Sequence, residues 1–383
     1  MKEFFETIFL LASIQGVMLS IALFFNKQNH SANIFLSIVM FTLSAELLAS
    51  VYYSKGWYLS NIHFSGFTYP IPLTYGPLFY FYVKFLTKKS EHFYLIDLIH
   101  FAPLVIVYVI MLPVFFYPAA EKLTFVQMMM LDKQSLIYDV IETFIPIQGV
   151  IYTIIVARLV LEYNKQIKEN FSNIEKINLE WLKYLTFGMI FCWSTVAGSH
   201  IVAFFLDASQ SFEIVLHIAI SIIIYSIGYL NLSQPEIFMR SQDSTDKDEV
   251  TVKYKKSGLD DSSAKEIQNK LIAVMEKQKP YLDSELTLNK LADLLKISNH
   301  HLSEVINSKL NKTYYDFINE YRVEEFKQRV HNPSNSNFSI IAIAMDSGFN
   351  SKTSFNTLFK KMTGQTPSQF RNSKVPLKES TTE

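Results

Sequence analysis

Apolar side chains are distributed in two ways along this chain. Up to about residue 240 they run in long blocks without a clear period, whereas from residue 262 they recur every three or four positions between charges. A helix that spans a bilayer needs about 20 largely apolar residues. Seven blocks meet that requirement, at 5–25, 32–53, 67–86, 95–116, 135–161, 181–206 and 213–232. Pro70, Pro72 and Pro77 interrupt the third block, and Pro103 and Pro113 the fourth. Membrane helices tolerate proline when neighbouring groups satisfy the freed carbonyls. The N-terminal MKEFFETIF has one lysine and no A-x-A-like cleavage site, so the first block reads as a retained span.

Basic residues in short loops predict the orientation of such a bundle. The odd loops and their flanks hold Lys27, Lys84, Lys88, Lys89, Arg158, Lys165, Lys168, Lys176 and Lys183. The N-terminus and the even loops hold only Lys2, Lys55, Lys122 and Lys133. This bias puts the odd loops in the cytoplasm, the N-terminus outside and everything after the seventh block inside. Aromatic residues crowd 52–85 and read as an interfacial belt with helix packing.

Beyond Pro235 the stretch 241–258 is rich in Ser, Asp and Lys with no hydrophobic period, and predicts a flexible connector. Ile267, Leu271 and Met275 then mark an amphipathic helix over 263–277. A short helix at 288–295, a turn at 296–299 and a helix at 300–310 follow, with Leu291, Leu294, Ile297, Leu302 and Val305 placed to share a small core. A longer helix covers 313–330 and stops at Asn332-Pro333. The helix-turn-helix pattern recurs with a helix at 339–346, a turn through Gly348 and a helix from Ser351 or Lys352 to Met362. Gly348 suits the left-handed backbone that such a turn demands. Thr366-Pro367 opens a last short helix.

Charge sharpens the division. The whole chain balances 35 basic against 35 acidic residues, yet 251–378 holds 20 Lys/Arg against 13 Asp/Glu. A basic aqueous half beside an apolar half fits an anionic partner. The only cysteine, Cys192, rules out an intrachain disulfide and a Cys-based metal site.

The run IAIAMDSGFNSKTSFNTLFKKMTGQTPSQFR (341–371) resembles the second-motif signature of the AraC family of bacterial regulators. The preceding LTLNKLADLLKISNHHLSEVINSKLNKTYYDFINEYRVEEFK (286–327) is similar to that family's first motif and connecting helix. The resemblance covers about 110 residues and does not extend to the first 240. It implies an all-helical domain with two helix-turn-helix units; with the seven apolar blocks before it, the expected fold is all-α, a seven-helix transmembrane bundle followed by that domain. The expected division is 1–239 membrane domain, 240–258 linker, 259–373 double helix-turn-helix domain and 374–383 disordered tail. Two positions depart from the family pattern. Lys296 stands where glycine is frequent, at about 1 kcal/mol if it must be left-handed, and Phe370 replaces the usual tyrosine.

Transferred position by position, the resemblance implies that Asn299, His300, Ser303 and Glu304 read bases in the first unit. Lys352, Thr353, Asn356 and Thr357 do so in the second, while Lys360, Lys361 and Arg371 hold phosphates. Lys and Asn suit guanine and adenine edges, and Thr meets a thymine methyl. His300 and His301 are adjacent on a helix and do not converge on one ion.

Double-stranded DNA and the lipid bilayer are therefore the expected partners, with RNA polymerase and a second copy of the chain as further candidates. The expected site is the bacterial cytoplasmic membrane, multi-pass, with the DNA-binding domain inside. No cofactor and no metal are expected. Ionisable residues inside spans are costly and usually face a cavity or a partner. Glu46, Asp139, Glu142, His200, Glu213 and His217 all fall in the outer half of the expected bundle, and His100 nearer the inner side. The six form a candidate pocket for a small-molecule or peptide ligand from outside the cytoplasm. The competing readings are an intramembrane enzyme and a transporter with a fused DNA-binding tail. The chain has no H-E-x-x-H, P-loop or G-x-S-x-G motif, and seven spans do not divide into equal repeats.

Overall fold

The computed structural model describes residues 2–27, 29–88, 92–130, 136–174, 179, 181–205, 209–233 and 259–373. The expected linker 240–258 and tail 374–383 lie outside them. All extended secondary structure among the described residues is helical, apart from one isolated antiparallel bridge between Phe171 and Thr287. The chain divides into two compact units. One comprises Met1–Tyr163 and Leu179–Asp246, the other Asn164–Asn178 and Lys247–Glu383.

The first unit contains α1 (Lys2–Phe25), α2 (His30–Ser54), α3 (Pro72–Thr87), α4 (Ala102–Phe115), α5 (Ala119–Met130), most of α6 (Leu136–Asn170), α7 (Trp181–Phe205) and α8 (Ser209–Ser233). Among the described residues, five helical stretches are long and apolar enough to cross a membrane: α1, α2, Leu95–Phe115, α6 and Glu213–Leu230 within α8. Seven were expected. The third expected span falls short because its first residues turn, and the helix begins only at Pro72, where a fixed φ and a missing N–H are no handicap; α3 is left with 16 residues. The fourth opens as a 3₁₀ turn, Leu95–Phe101, before α4. The twelve residues of α5 occupy a stretch expected to be loop.

In this unit small polar residues share the buried contacts with apolar ones, and large apolar side chains also face outward. On α1 the buried face carries Ser13, Gly16 and Ser20, while Leu11, Ile14, Met18 and Ile21 are more than half exposed. Ser13 Oγ donates to the Ser44 carbonyl at 2.9 Å, and the Ser20 and Ser37 hydroxyls meet at 3.1 Å. A Cβ on Gly16 would stand 2.1 Å from Ser44 Oγ. Small residues at the contact and large apolar ones outside are what lipid-facing helices require, since lipid gives no driving force to bury leucine.

In the second unit the helices are α9 (Asp261–Gln278), α10 (Leu288–Leu295), α11 (Asn299–Lys309), α12 (Tyr314–Val330), α13 (Ile340–Asp346), α14 (Lys352–Thr363) and α15 (Pro367–Asn372). They build two lobes on one shared helix. Leu271, Met275, Leu291, Leu295, Leu302 and Ile306 pack with Tyr314, Phe317 and Ile318 of α12. Ile343, Phe349, Phe355, Leu358 and Phe359 pack with Val323, Phe326 and Val330 from the rest of α12. Between the two sets lies Arg322, 1% exposed. Burial draws its guanidinium down to about 10, so it keeps its charge at neutral pH.

Candidate nucleic-acid interface

Each lobe presents one helix after a tight turn, and local chemistry sets both. In the first lobe Thr287 Oγ1 accepts from the Lys290 amide to start α10. Lys296 ends it with φ 56°, the left-handed value that glycine would adopt at less cost. Ser298 Oγ then accepts from the His301 amide to start α11. In the second lobe Ser339 caps α13, Gly348 turns the chain at φ 94°, and Ser351 Oγ accepts from the Ser354 amide to start α14. A serine cap of this kind contributes about 1 kcal/mol.

These starts fix which face of each second helix is presented. On α14, Phe355, Leu358 and Phe359 are buried, whereas Lys352, Thr353, Thr357, Lys360 and Lys361 are exposed and Asn356 is half-buried. Asn356, Thr357 and Lys360 line a surface depression with Thr366, Pro367 and Ser368. On α11, Leu302, Val305 and Ile306 are buried and His300, Ser303 and Glu304 half-buried on the other side.

Hydrogen bonds distinguish the candidates further. Asn299 donates to Asn289 Oδ1 of α10, so it also ties the two helices of its unit together. Ser303 Oγ accepts from Asn307 at 3.2 Å. The Arg371 guanidinium donates to the Phe338 and Ser336 carbonyls at 2.9 and 2.7 Å, fastening α15 to the segment before α13. Lys309 pairs with Asp261 and Lys312 with Glu320. Lys352, Lys360 and Lys361 make no ion pair among the described residues, which leaves α14 as a cationic face.

Of the six ionisable residues in the apolar half, the structure brings five into two groups. Glu46 lies within electrostatic reach of Glu213 and Tyr75, and His217 Nδ1 is 3.3 Å from the Ser50 hydroxyl. Asp139 and Glu142 gather instead near Tyr69, whose hydroxyl donates to Glu142 at 3.5 Å. The His200 side chain lies outside the described set. His100 Nδ1 is 2.6 Å from the Tyr152 hydroxyl. Sequence reading missed Arg322 and Ser172, which are buried and hydrogen-bonded to each other at 3.0 and 3.3 Å; an arginine among the apolar positions of α12 was the one sign in the sequence.

A family profile described as a helix-turn-helix domain matches residues 291–373. Curated relatives include proteins named uncharacterized HTH-type transcriptional regulators from Staphylococcus aureus strains COL and MSSA476. Each is 30% identical over 99 residues, 26% of this chain and 13% of the relative. The chain thus spans 13% of the length of these curated relatives. No solved structure matches. The C-terminal part of the chain carries an AraC-type helix-turn-helix domain.

Proposed function

We propose that this chain is a membrane-anchored transcription regulator whose second unit binds duplex DNA at specific sequences. The observation that carries the reading is the pair of serine-capped helices, α11 and α14, each set after a tight turn with a polar face outward. Side chains in the first turns of such helices reach base edges, and flanking groups hold phosphates. Lys352, Thr353, Asn356 and Thr357 are the readers of the second lobe, and His300, Ser303, Glu304 and Asn299 those of the first. Lys360 and Lys361 hold phosphates, and Arg371 does so with the donors its two carbonyl bonds leave. The chain acts by binding and not as an enzyme. Its helices α1, α2, α6 and α8 and the stretch Leu95–Phe115 support anchoring in a bilayer. Full-length protein in lipid nanodiscs, mixed with a pool of random DNA duplexes at physiological salt, tests the reading. Repeated rounds of capture enrich a defined sequence if it holds; a pool that stays random after capture refutes it.

The same reading assigns signal sensing to the apolar unit. Glu46 Oε2 and the Tyr75 hydroxyl are sealed from solvent and have no hydrogen-bond partner among the described residues. Unpaired buried polar atoms are costly and mark places where a ligand or water completes the bonding. Glu46, Tyr75, Glu213, His217 and Ser50 are thus the favoured lining of a polar-ligand site, with Asp139 and Glu142 in a separate group.

A further inference from the structure

The compact unit that holds the helix-turn-helix domain also contains Asn164–Asn178, more than a hundred residues away in sequence. Residues 171–174 pack against that unit. Phe171 bridges Thr287 in antiparallel fashion beside the start of α10. Ser172, 2% exposed, donates through Oγ to the Leu286 carbonyl at 2.6 Å. Its own carbonyl accepts from Asn319 at 3.0 Å and from Arg322 at 3.3 Å, and its Oγ accepts from Arg322 at 3.0 Å. Ile174 packs on the apolar core of the second lobe.

Arg322 is where both lobes meet. It donates to the Tyr281 and Asp283 carbonyls of the first lobe and to Asn319 on its own helix. Its Nε would lie 3.0 Å from a Cβ on Gly348, in the turn of the second lobe. Among the described residues, none of its five hydrogen bonds ends on a carboxylate, and two of the five end on Ser172. A buried guanidinium needs such acceptors, because an unmade bond there costs the desolvation of the donor. The segment therefore completes the bonding of the residue at the junction while touching both lobes. It also follows directly on α6, an unbroken helix from Leu136 to Asn170.

We propose that residues 171–174 are a tethered internal ligand of the DNA-binding unit, and that their docking on Arg322, Asn319 and the 286–287 loop holds the two lobes in the arrangement that binds DNA. The proposal rests on the DNA-binding reading above. Its occupant is this chain's own segment, and displacement through α6 is the route by which the apolar unit would weaken DNA binding. Pre-organising two recognition helices raises affinity because the ordering cost is met before DNA arrives.

Docking is tested first without DNA. In full-length protein carrying Cys192→Ser, the pair Phe171→Cys and Thr287→Cys stands at a bridged position, within disulfide reach. An intramolecular disulfide on mild oxidation in membranes is expected, and its absence overturns the proposal whatever the DNA result. Ser172→Trp, too large for a fully buried site, and the milder Ser172→Ala are then compared with the wild type in nanodiscs against the DNA sequence enriched from the random pool. Affinity is expected to fall at least tenfold for Ser172→Trp and about threefold for Ser172→Ala at normal membrane abundance. Unchanged or tighter binding by Ser172→Ala overturns the proposal even where Ser172→Trp fails to fold. A wild type that enriches no sequence refutes the regulator reading instead, and leaves the disulfide to decide the docking.

Discussion

Gly348 lies against the backbone of Tyr281: a Cβ built on it would come within 2.2 Å of the Tyr281 carbonyl oxygen. The turn of the second helix-turn-helix unit thus closes onto the first lobe, and its φ of 94° is one that side chains avoid. Conformation and contact both exclude a side chain here. Gly348→Ala is expected to destabilise the second unit by about 2 kcal/mol or more, combining left-handed strain with the displaced backbone. Thermal unfolding of the purified full chain, followed by protease sensitivity after residue 259, measures it; an unchanged midpoint contradicts the contact.

Acid should loosen the same unit. Burial by itself raises the Glu325 carboxyl, but hydrogen bonds from Lys279, Arg329 and Tyr281 outweigh it and hold the group below its ordinary value of 4.5. Lys279 and Tyr281 donate at 2.8 and 2.9 Å from the first lobe, and Arg329 at 2.8 Å along α12. A depressed carboxyl stabilises the fold above its unfolded value and loses that contribution as pH falls through its folded value. Stability is therefore expected to drop below about pH 4.5, and Glu325→Gln to flatten that part of the profile. A variant profile that parallels the wild type there refutes the assignment.

Lys352 is exposed in the first turn of α14, where the proposed function puts a base reader. Lys352→Ala is expected to weaken specific binding by about 1–3 kcal/mol and relax preference at one base pair. Lys361→Ala is expected to weaken binding evenly across sequences and to lower the salt slope by about one. Binding isotherms at several salt concentrations separate the two effects, and identical behaviour of the two variants removes the distinction between reader and phosphate holder.

The loop charges predict a topology that reporter fusions measure directly. Fusions at Lys55 and Lys168 are expected on opposite faces of the membrane, with Lys168 in the cytoplasm. Both fusions on one face would break the expected arrangement of spans.

Glu46 is the sharpest probe of the polar group near Glu213 and His217. Glu46→Gln keeps shape and removes the ionisable carboxyl. Membrane abundance is expected to stay normal while reporter transcription loses its response to external conditions. Output that changes only in step with abundance makes Glu46 a structural residue.

The helices of the second unit were legible because their signals are local. The helix at 288–295 begins and ends where the alternation of leucines and polar residues puts it, bounded by the Thr287 cap and by Lys296 in the left-handed turn. Caps, turns and a 3.6-residue period act over a few residues, so the chain states them directly. The apolar blocks were legible for a similar reason, since crossing a bilayer is a matter of length and composition. Their details were not. Whether a proline-rich block becomes a full span or the 16 residues of α3 depends on which neighbours complete its backbone bonds.

Tertiary structure alone decided how distant polar groups pair. Six ionisable residues at one expected depth could have met at one place, yet Glu46 lies within electrostatic reach of Glu213 while Glu142 meets Tyr69. Depth along a span says nothing about the azimuth at which a side chain leaves its helix, and packing sets that. Arg322 makes the same point more strongly. Its position on α12 follows from the pattern of Val323 and Phe326 around it, but the acceptors that make its burial tolerable come from Tyr281, Asp283 and, 150 positions earlier, Ser172. A hydrogen bond carries no periodic signature in sequence, and its partner is chosen only when the chain has folded.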